Sequence, residues 1–292
     1  MKKFAKMIAL ALALCMILAA CGAPKEPQKE SQPASDASEN LSEESKNESK
    51  EESKAPEEGA DSSAIYEAGK KALGGEVLRV GTSADFPPFE YYDKNEMVGI
   101  DVDILKAVGE KMGLEVKFQD MDFKAILAAI GSGKLDAGVA AISVTEERKK
   151  TVDFSDPYNK TILKILVTKD SPLKTPDDLK DHKVGTQLGT TGEAYAKDDF
   201  GEENVQSFNK YNDAVMALSK GKVDAVIMDE EPAKNYAQAA GLSILDSAYA
   251  EEEYSIAFGK GKEDLIKAVN LALKELREEG TLDQIVSKYI HD

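Results

Sequence analysis

GKLDAGVAA, residues 133–141, recurs as GKVDAVIMD, residues 221–229. Each copy follows an apolar helical stretch, 126–130 in one case and 214–218 in the other, and each reads as a short buried strand. Upstream, Val80, Gly81, Thr82 recurs as Val184, Gly185, Thr186, each time behind a basic residue and at the end of a short apolar strand. The order strand, helix, strand, helix, strand is thus written twice, and the chain reads as α/β with two lobes. Alternation of this kind points to mainly parallel sheets with helices on both faces. In such open sheets, ligands bind at the carboxyl ends of the strands.

The remaining elements agree. Val102–Met112 carries apolar residues at helical spacing and stops at Gly113, while LEVKF, residues 114–118, alternates like a strand. Tyr211–Lys220 and Lys262–Glu279 read as amphipathic helices, the second closing on Gly280. Residues 65–292 are enough for one large domain or two modest ones, and the repeat favours two.

The amino-terminal part is of another kind. Lys2, Lys3 and Lys6 precede an apolar run from Met7 to Leu18, too short to span a bilayer comfortably, so residues 1–20 read as an export signal. The run ends in Leu18, Ala19, Ala20, Cys21, a lipobox pattern in which Cys21 is lipidated (palmitate among its acyl chains) and becomes the mature terminus. The alternative is an ordinary signal peptide cut beside a cysteine. Residues 21–64 are rich in Ser, Glu, Lys, Ala and Pro and lack large apolar side chains apart from Leu41, so they read as a disordered tether. A coil of roughly forty residues reaches about 35–40 Å. An acidic interaction tail is the rival reading, and the lysines interspersed among the glutamates speak against it.

Composition excludes several classes. The formal charge is -17, and loss of the three signal lysines makes it -20, which disfavours nucleic acid because phosphate binding needs clustered Lys and Arg. Cys15 leaves with the signal and Cys21 takes lipid, so no disulfide or thiol chemistry is expected. His182 and His291 are the only histidines, which speaks against a histidine-rich metal site or a histidine general base.

The chemistry concentrates in LDAGVAAISVTEERKKTVDFSDPY, residues 135–158. An apolar strand ends in Ser143, and Arg148 follows five residues later. An arginine fork beside a strand end matches the two oxygens of a carboxylate, so the expected anion is a small organic acid. The alternative is one more charge in the solvated run 146–150. In GTQLGTTGEAYA, residues 185–196, a strand turns into a helix whose first amides attract anions. It is not a phosphate-binding P-loop: the lysine is missing and Glu193 follows the last glycine. Asp229 ends the second repeat as a lone carboxylate at the cleft; it could instead cap the helix that Pro232 begins, unless Glu230 or Glu231 does so. Asp101 and Asp103 read as dipole or cap residues rather than calcium ligands, and Phe89 as core.

From Val77 to the C-terminus, with SVTEERKKTVDFSDPY as its most specific stretch, the chain resembles the extracellular solute-binding proteins of family 3, which receive polar amino acids for ABC importers. The resemblance implies a two-lobed, periplasmic-binding-protein-like fold of type II with a double-crossover hinge near 159–163 and 249–254. Lobe one would comprise 65–160 and 254–292, and lobe two 161–253. It also implies roles. Arg148 binds the ligand's α-carboxylate, Ser143 offers hydroxyl and amide, and Ala141 offers a carbonyl to the ammonium. Gly189, Thr190 and Thr191 form a carboxylate-binding loop, with the Thr191 amide foremost, and Asp229 takes the ammonium. Phe86 stacks over the ligand side chain and Phe123 is a second wall. Ser83 stands where members binding basic ligands carry an acid, and Gln187 and Met228 line the same region, which favours a neutral polar L-amino acid. Asp85 remains able to rescue a basic one. The expected partners are the free amino acid, an ABC permease with its ATPase, and the membrane reached through the lipid anchor on the extracytoplasmic face. The protein is expected to be a monomer without cofactor or metal and not an enzyme. Two rivals stand beside this reading. One is a dehydratase of cyclohexadienyl acids on the same fold, which needs an acid over the substrate ring that Ser83, Gln187 and Met228 do not supply. The other is an amino acid sensor.

Overall fold

In the computed structural model, which describes residues 61–291, the two copies of the repeat adopt one local structure. The glycines that open them, Gly133 and Gly221, sit at φ 73° and 65°. That left-handed region costs a residue with a side chain about 1–2 kcal/mol. Each turn follows a helix, Phe123–Gly131 or Tyr211–Ser219, and leads into a buried strand, Ala137–Gly138 or Ala225–Asp229. The aspartate of each copy then ties that strand to its VGT neighbour. Asp136 accepts the backbone N–H of Arg79 at 2.9 Å, and Asp224 accepts that of Lys183 at 2.8 Å. The register is also shared: Val80 faces Ala137 and Gly81 faces Gly138, just as Val184 faces Ala225 and Gly185 faces Val226, parallel in both cases. The basic residue before VGT has a role in the first copy, where the Arg79 guanidinium pairs with Asp136 at 2.7 Å. In the second, Lys183 sends its ammonium to the Glu203 carbonyl instead.

Two sheets grow from these parallel cores. The first runs Glu115–Asp120, Val77–Thr82, Ala137–Gly138, Ala257–Gly259, Val152–Phe154; the second runs Val205–Phe208, Val184–Gln187, Ala225–Asp229, Asn159–Val167, Ser243–Ile244. The first three strands of each are parallel, and the later ones are antiparallel. Parallel neighbours need a long crossover, whereas strands that arrive directly from the other lobe come in the opposite direction. Helices cover both faces. In the second sheet Ile227 packs with Ala196 and Phe200, while its neighbours Val226 and Met228 pack with Ala214, Leu218 and Ala233 on the other side. Each such fully buried aliphatic side chain contributes about 1.5–3 kcal/mol.

The chain passes between sheets twice, and the two crossings pair with each other. Asn159–Val167 and Ala250–Tyr254 run antiparallel, with Tyr254 opposite Asn159 and Ala250 opposite Leu163. The strand Ala257–Gly259 then rejoins the first sheet, and the helices Glu263–Glu278 and Thr281–Tyr289 follow. A separate three-stranded antiparallel sheet, Asp85–Phe86, Glu90–Asp93 and Glu96–Val98, carries residues of the cleft.

The readings of an export signal, of Cys21 and of the tether up to residue 60 lie outside the described residues. The end of the tether, expected at residue 64, is corrected: a helix already spans Ser62–Leu73. Asp61 caps it by accepting the Ser63 N–H, and Lys70 and Lys71 sit in its last turn, where the helix dipole favours cations. Ile65 and Leu73 pack on the apolar core, the Tyr66 hydroxyl donates to Glu275 at 2.8 Å, and the Lys262 ammonium reaches the Ala72 carbonyl at 2.9 Å. The polar residues just before it resemble the tether, which conceals an amphipathic helix. Among the described residues, no helix is long and apolar enough to cross a membrane.

Candidate functional site

Arg148 stands on a helix of one turn, Glu146–Lys149, whose cap Thr145 accepts the Arg148 N–H at 3.1 Å. Its neighbours make exposed ion pairs within the turn, Lys149 with Glu146 and Lys150 with Glu147. Arg148 alone folds inward. Its guanidinium donates to the Ser143 carbonyl at 2.6 Å and, across the cleft, to the Gly189 carbonyl at 3.1 Å. It also lies 5.5 Å from the centre of the Phe123 ring, within range of a cation–π contact. Burial lowers its pKa and the Glu252 carboxylate is the first influence opposing that; an arginine stays charged regardless.

Asp229 ends the central strand of the second sheet and occupies the cap position of the helix Glu230–Ala240, yet its side chain makes no cap hydrogen bond. It turns to the cleft, where it accepts the Tyr254 hydroxyl at 2.5 Å. Burial lifts its pKa from an ordinary 3.8 to about 7; the Tyr254 bond opposes the rise and the Glu252 carboxylate adds to it.

Ala141, at the same point of the first copy, has φ 48°, a left-handed backbone that alanine rarely adopts. A buried carboxylate holds it there. Asp101 accepts the Ala141 N–H at 2.8 Å and the Tyr158 hydroxyl at 2.8 Å. Burial raises the Asp101 pKa to about 6, and Glu90 beside it is pushed well above the usual carboxylate range, first by burial and then by Asp101. Asp101, read as a dipole or cap residue, does lie in the first turn of the helix Ile100–Met112, and it supports the cleft as well.

The loop of lobe two is braced from behind. Thr190 caps the helix Thr191–Phe200 by accepting the Glu193 N–H at 3.1 Å and gives its own proton to the Gln187 carbonyl at 2.8 Å. Glu193 accepts the Gly189 N–H at 2.6 Å, the Ser207 hydroxyl at 2.5 Å and the Lys197 ammonium at 2.8 Å. Burial alone would raise its pKa, but these donors hold it below the ordinary value. Thr191, first in the helix, has an N–H with no intrahelical acceptor.

One pocket between the lobes gathers Ser83, Phe86, Phe123, Ala141, Ser143, Arg148, Gln187, Thr190, Thr191 and Asp229. Met228 is the exception. Strand alternation sends it, fully buried, into the apolar core while Asp229 beside it faces the pocket. Phe86 stacks on Tyr211 from the other lobe, ring centres 5.2 Å apart. Asp85 spans the lobes: its carboxylate accepts the Tyr211 N–H at 2.8 Å, its carbonyl accepts the Tyr236 hydroxyl at 2.7 Å, and Ser83 donates to it at 3.2 Å. Burial raises the Asp85 pKa, with Lys210 the first opposing influence.

Sequence reasoning missed Glu90, Tyr211 and Glu252, which also line the pocket. Glu252 takes the Ser143 hydroxyl, and its other oxygen is buried without a protein partner. A signal for it existed. It is the middle of three glutamates, 251–253, and on a strand the middle one faces the opposite way from its neighbours. Read as a charge run, the triplet conceals that alternation. The arrangement places a guanidinium from lobe one and a buried carboxylate from lobe two on a single hollow. Such a pair suits a small molecule that carries both charges.

A family model described as "Bacterial extracellular solute-binding proteins, family 3" matches residues 78–292. The arginine-binding extracellular protein ArtP of Bacillus subtilis is 36% identical over 235 residues, covering 78% of this chain and 89% of the relative. Among solved structures, an ancestral arginine-binding protein bound to glutamine superposes with TM-score 0.71 at 41% identity, covering 74% of this chain and 99% of that one. An ancestral amino acid-binding protein described as a precursor of cyclohexadienyl dehydratase gives TM-score 0.71 at 34% identity, covering 76% and 99%.

Proposed function

The chain belongs to the bacterial extracellular solute-binding proteins, family 3, and from that premise we propose that it captures one free amino acid between its lobes and delivers it to an ABC permease. The observation that carries this reading is the meeting of Arg148 and Asp229, from different lobes, on one pocket. A zwitterion would place its carboxylate on the Arg148 fork and the Thr191 amide. Its ammonium would lie against Asp229 and the Ala141 carbonyl. Phe86 and Phe123 would enclose the side chain. No bond is made or broken, and micromolar binding corresponds to about -8 kcal/mol. The two paired crossings and the helix Ser62–Leu73 support lobe limits of 62–160 with 254–292, and 161–253.

The proposed ligand is a neutral polar L-amino acid, because Ser83 and Gln187 offer hydroxyl and amide groups but no charge. Asp85, the alternative partner for a basic side chain, is already engaged by Tyr211, Ser83 and Lys210. In the cell we place the protein on the extracytoplasmic face, anchored by lipid on Cys21 and acting as a monomer. Two acyl chains or more hold such an anchor durably. A thermal-shift screen of the twenty amino acids on the purified protein tests the binding reading, since a ligand of the folded form alone raises the melting point. No shift with any of them would end it. Loss of labelled amino acid uptake on gene deletion separates transport from sensing.

A second reading has one observation in its favour. Glu90 and Asp229 are pocket carboxyls whose pKa values are raised, one well above the ordinary range and one to about 7, so the acid that a dehydratase requires is present. Release of product from prephenate or arogenate, abolished in Glu90→Gln or Asp229→Asn, would favour it over binding alone.

A further inference from the structure

Lys210 lies outside the motifs read from the sequence, at the cap position of the helix Tyr211–Ser219 in lobe two. All four polar partners of its ammonium belong to lobe one. Its ammonium donates to the Ser83 hydroxyl at 3.1 Å and to the Met121 carbonyl at 3.4 Å. It lies 3.6 Å from the Asp85 carboxylate and 3.5 Å from that of Asp120. Asp85 is buried, with 7% of its side chain exposed, so a cation beside it is held close and weakly screened. The pocket wall at Ser83 is therefore backed by a positive charge that the protein itself supplies.

We propose that Lys210 is the residue that bars cationic side chains from this pocket, acting as a built-in counter-ion for Asp85 and Asp120. The inference rests on the amino acid reading above. Given that reading, Arg148 and Asp229 take the ligand's charged ends, and Ser83 hydrogen-bonds to neither of them, so it is left to meet the side chain. A guanidinium or ammonium bound at Ser83 would share that one oxygen with Lys210 and stand roughly 5 Å from its charge, where like charges repel. It would also find Asp85 already paired with Lys210, Asp120 sharing the same ammonium, and Glu90, a buried carboxyl of the pocket, disfavoured in its charged form. A neutral hydroxyl or amide meets neither obstacle, because Ser83, which donates to Asp85 and accepts from Lys210, keeps one lone pair to accept from an uncharged donor. Without the lysine, Asp85 would be a buried carboxylate lacking its cation, and a basic ligand would be its natural replacement.

The test is calorimetric titration of the purified protein with arginine, lysine and whichever neutral amino acid the screen of twenty ranks first. The parent, Lys210→Met and Lys210→Arg are compared, with melting curves to show that each variant is folded. The expected result is a rise of at least tenfold in the affinity ratio of arginine to the neutral ligand in Lys210→Met and no such rise in Lys210→Arg. A folded Lys210→Met that binds the neutral ligand with an unchanged ratio overturns the inference and leaves the amino acid reading standing. A parent that takes arginine as tightly as any neutral amino acid also overturns it. A parent that binds none of the twenty ends the amino acid reading itself, a result distinct from both.

Discussion

The two repeats reach the cleft in the same register and then diverge at their last residue, Ala141 in one and Asp229 in the other. Ala141 gives the cleft backbone, held in a left-handed conformation by a carboxylate forty positions earlier in the chain. Asp229 gives its own side chain, buried at an energetic cost and steadied by Tyr254 from the crossing strand. One wall is thus shaped by a supporting network and the other is charged by a single residue. The difference teaches that a shared scaffold, fixed by Asp136 and Asp224 at the beginning of each strand, leaves the strand end free to carry different chemistry. Arg148 then gives the backbone wall the charge that Ala141 lacks.

The largest expected effect tests that last point. Arg148→Ala should weaken amino acid binding by about 3–5 kcal/mol, because the ligand's carboxylate would be buried without its partner. Calorimetry in which this variant binds as tightly as the parent would remove lobe one from charge recognition. A smaller effect should follow from cutting the support of Ala141. In Asp101→Ala the Ala141 N–H and the Tyr158 hydroxyl lose their acceptor, each worth about 1–3 kcal/mol when left unpaired. Loss of a carboxyl whose pKa burial raises to about 6 offsets part of this above that pH. The melting point should fall and affinity should fall with it; a lower melting point with unchanged affinity would show that the left-handed backbone does not matter to the ligand.

Asp229 offers a sharper test of the other wall. Its folded pKa, about 7, lies above the ordinary 3.8, so the unliganded fold binds this proton more tightly than the unfolded chain does. Its contribution to stability is therefore complete below 3.8 and is lost as pH rises to about 7. Asp229→Asn should then raise the melting point of the unliganded protein at pH 8. Binding runs the other way. An ammonium needs the ionised form, so between about pH 5 and 7 affinity should climb toward tenfold per pH unit with release of one proton. Titrations in buffers of different ionisation enthalpy would measure that release, and Asp229→Asn should abolish it. A flat affinity across this range in the parent would mean that another group holds the ammonium, with Glu90 and Glu252, which line the same pocket, as the candidates.

What the sequence made legible follows the same division. The repeat disclosed the succession of strands and helices and the two lobes, because GKxDA and VGT are joined by hydrogen bonds between residues in or directly beside the motifs. Arg148, Ser143 and Asp229 were legible because each ends or follows a strand. Tyr211 and Lys210 were not, since their roles arise only where lobe two meets lobe one. No spacing within the chain encodes that meeting. Glu252, singled out by strand alternation, was hidden in a run of three glutamates. Met228 was misplaced by one residue of strand alternation, and the helix Ser62–Leu73 was hidden by polar residues that continue the tether's composition.

The smallest effect probes the shared scaffold and not the divergent ends. Gly133 and Gly221 both lie at positive φ, and a Cβ added at either would meet no atom within 4 Å. Alanine at these turns therefore introduces backbone strain and no clash, with an expected loss of about 1–2 kcal/mol at each site. If the copies are physically equivalent, denaturant unfolding should give the same loss for Gly133→Ala as for Gly221→Ala. Because neither turn touches the pocket, ligand affinity should stay at the parental value in both. A loss at one site several times that at the other would show that the register common to the two sheets is stabilised by different means, and that equivalence of sequence does not extend to energy.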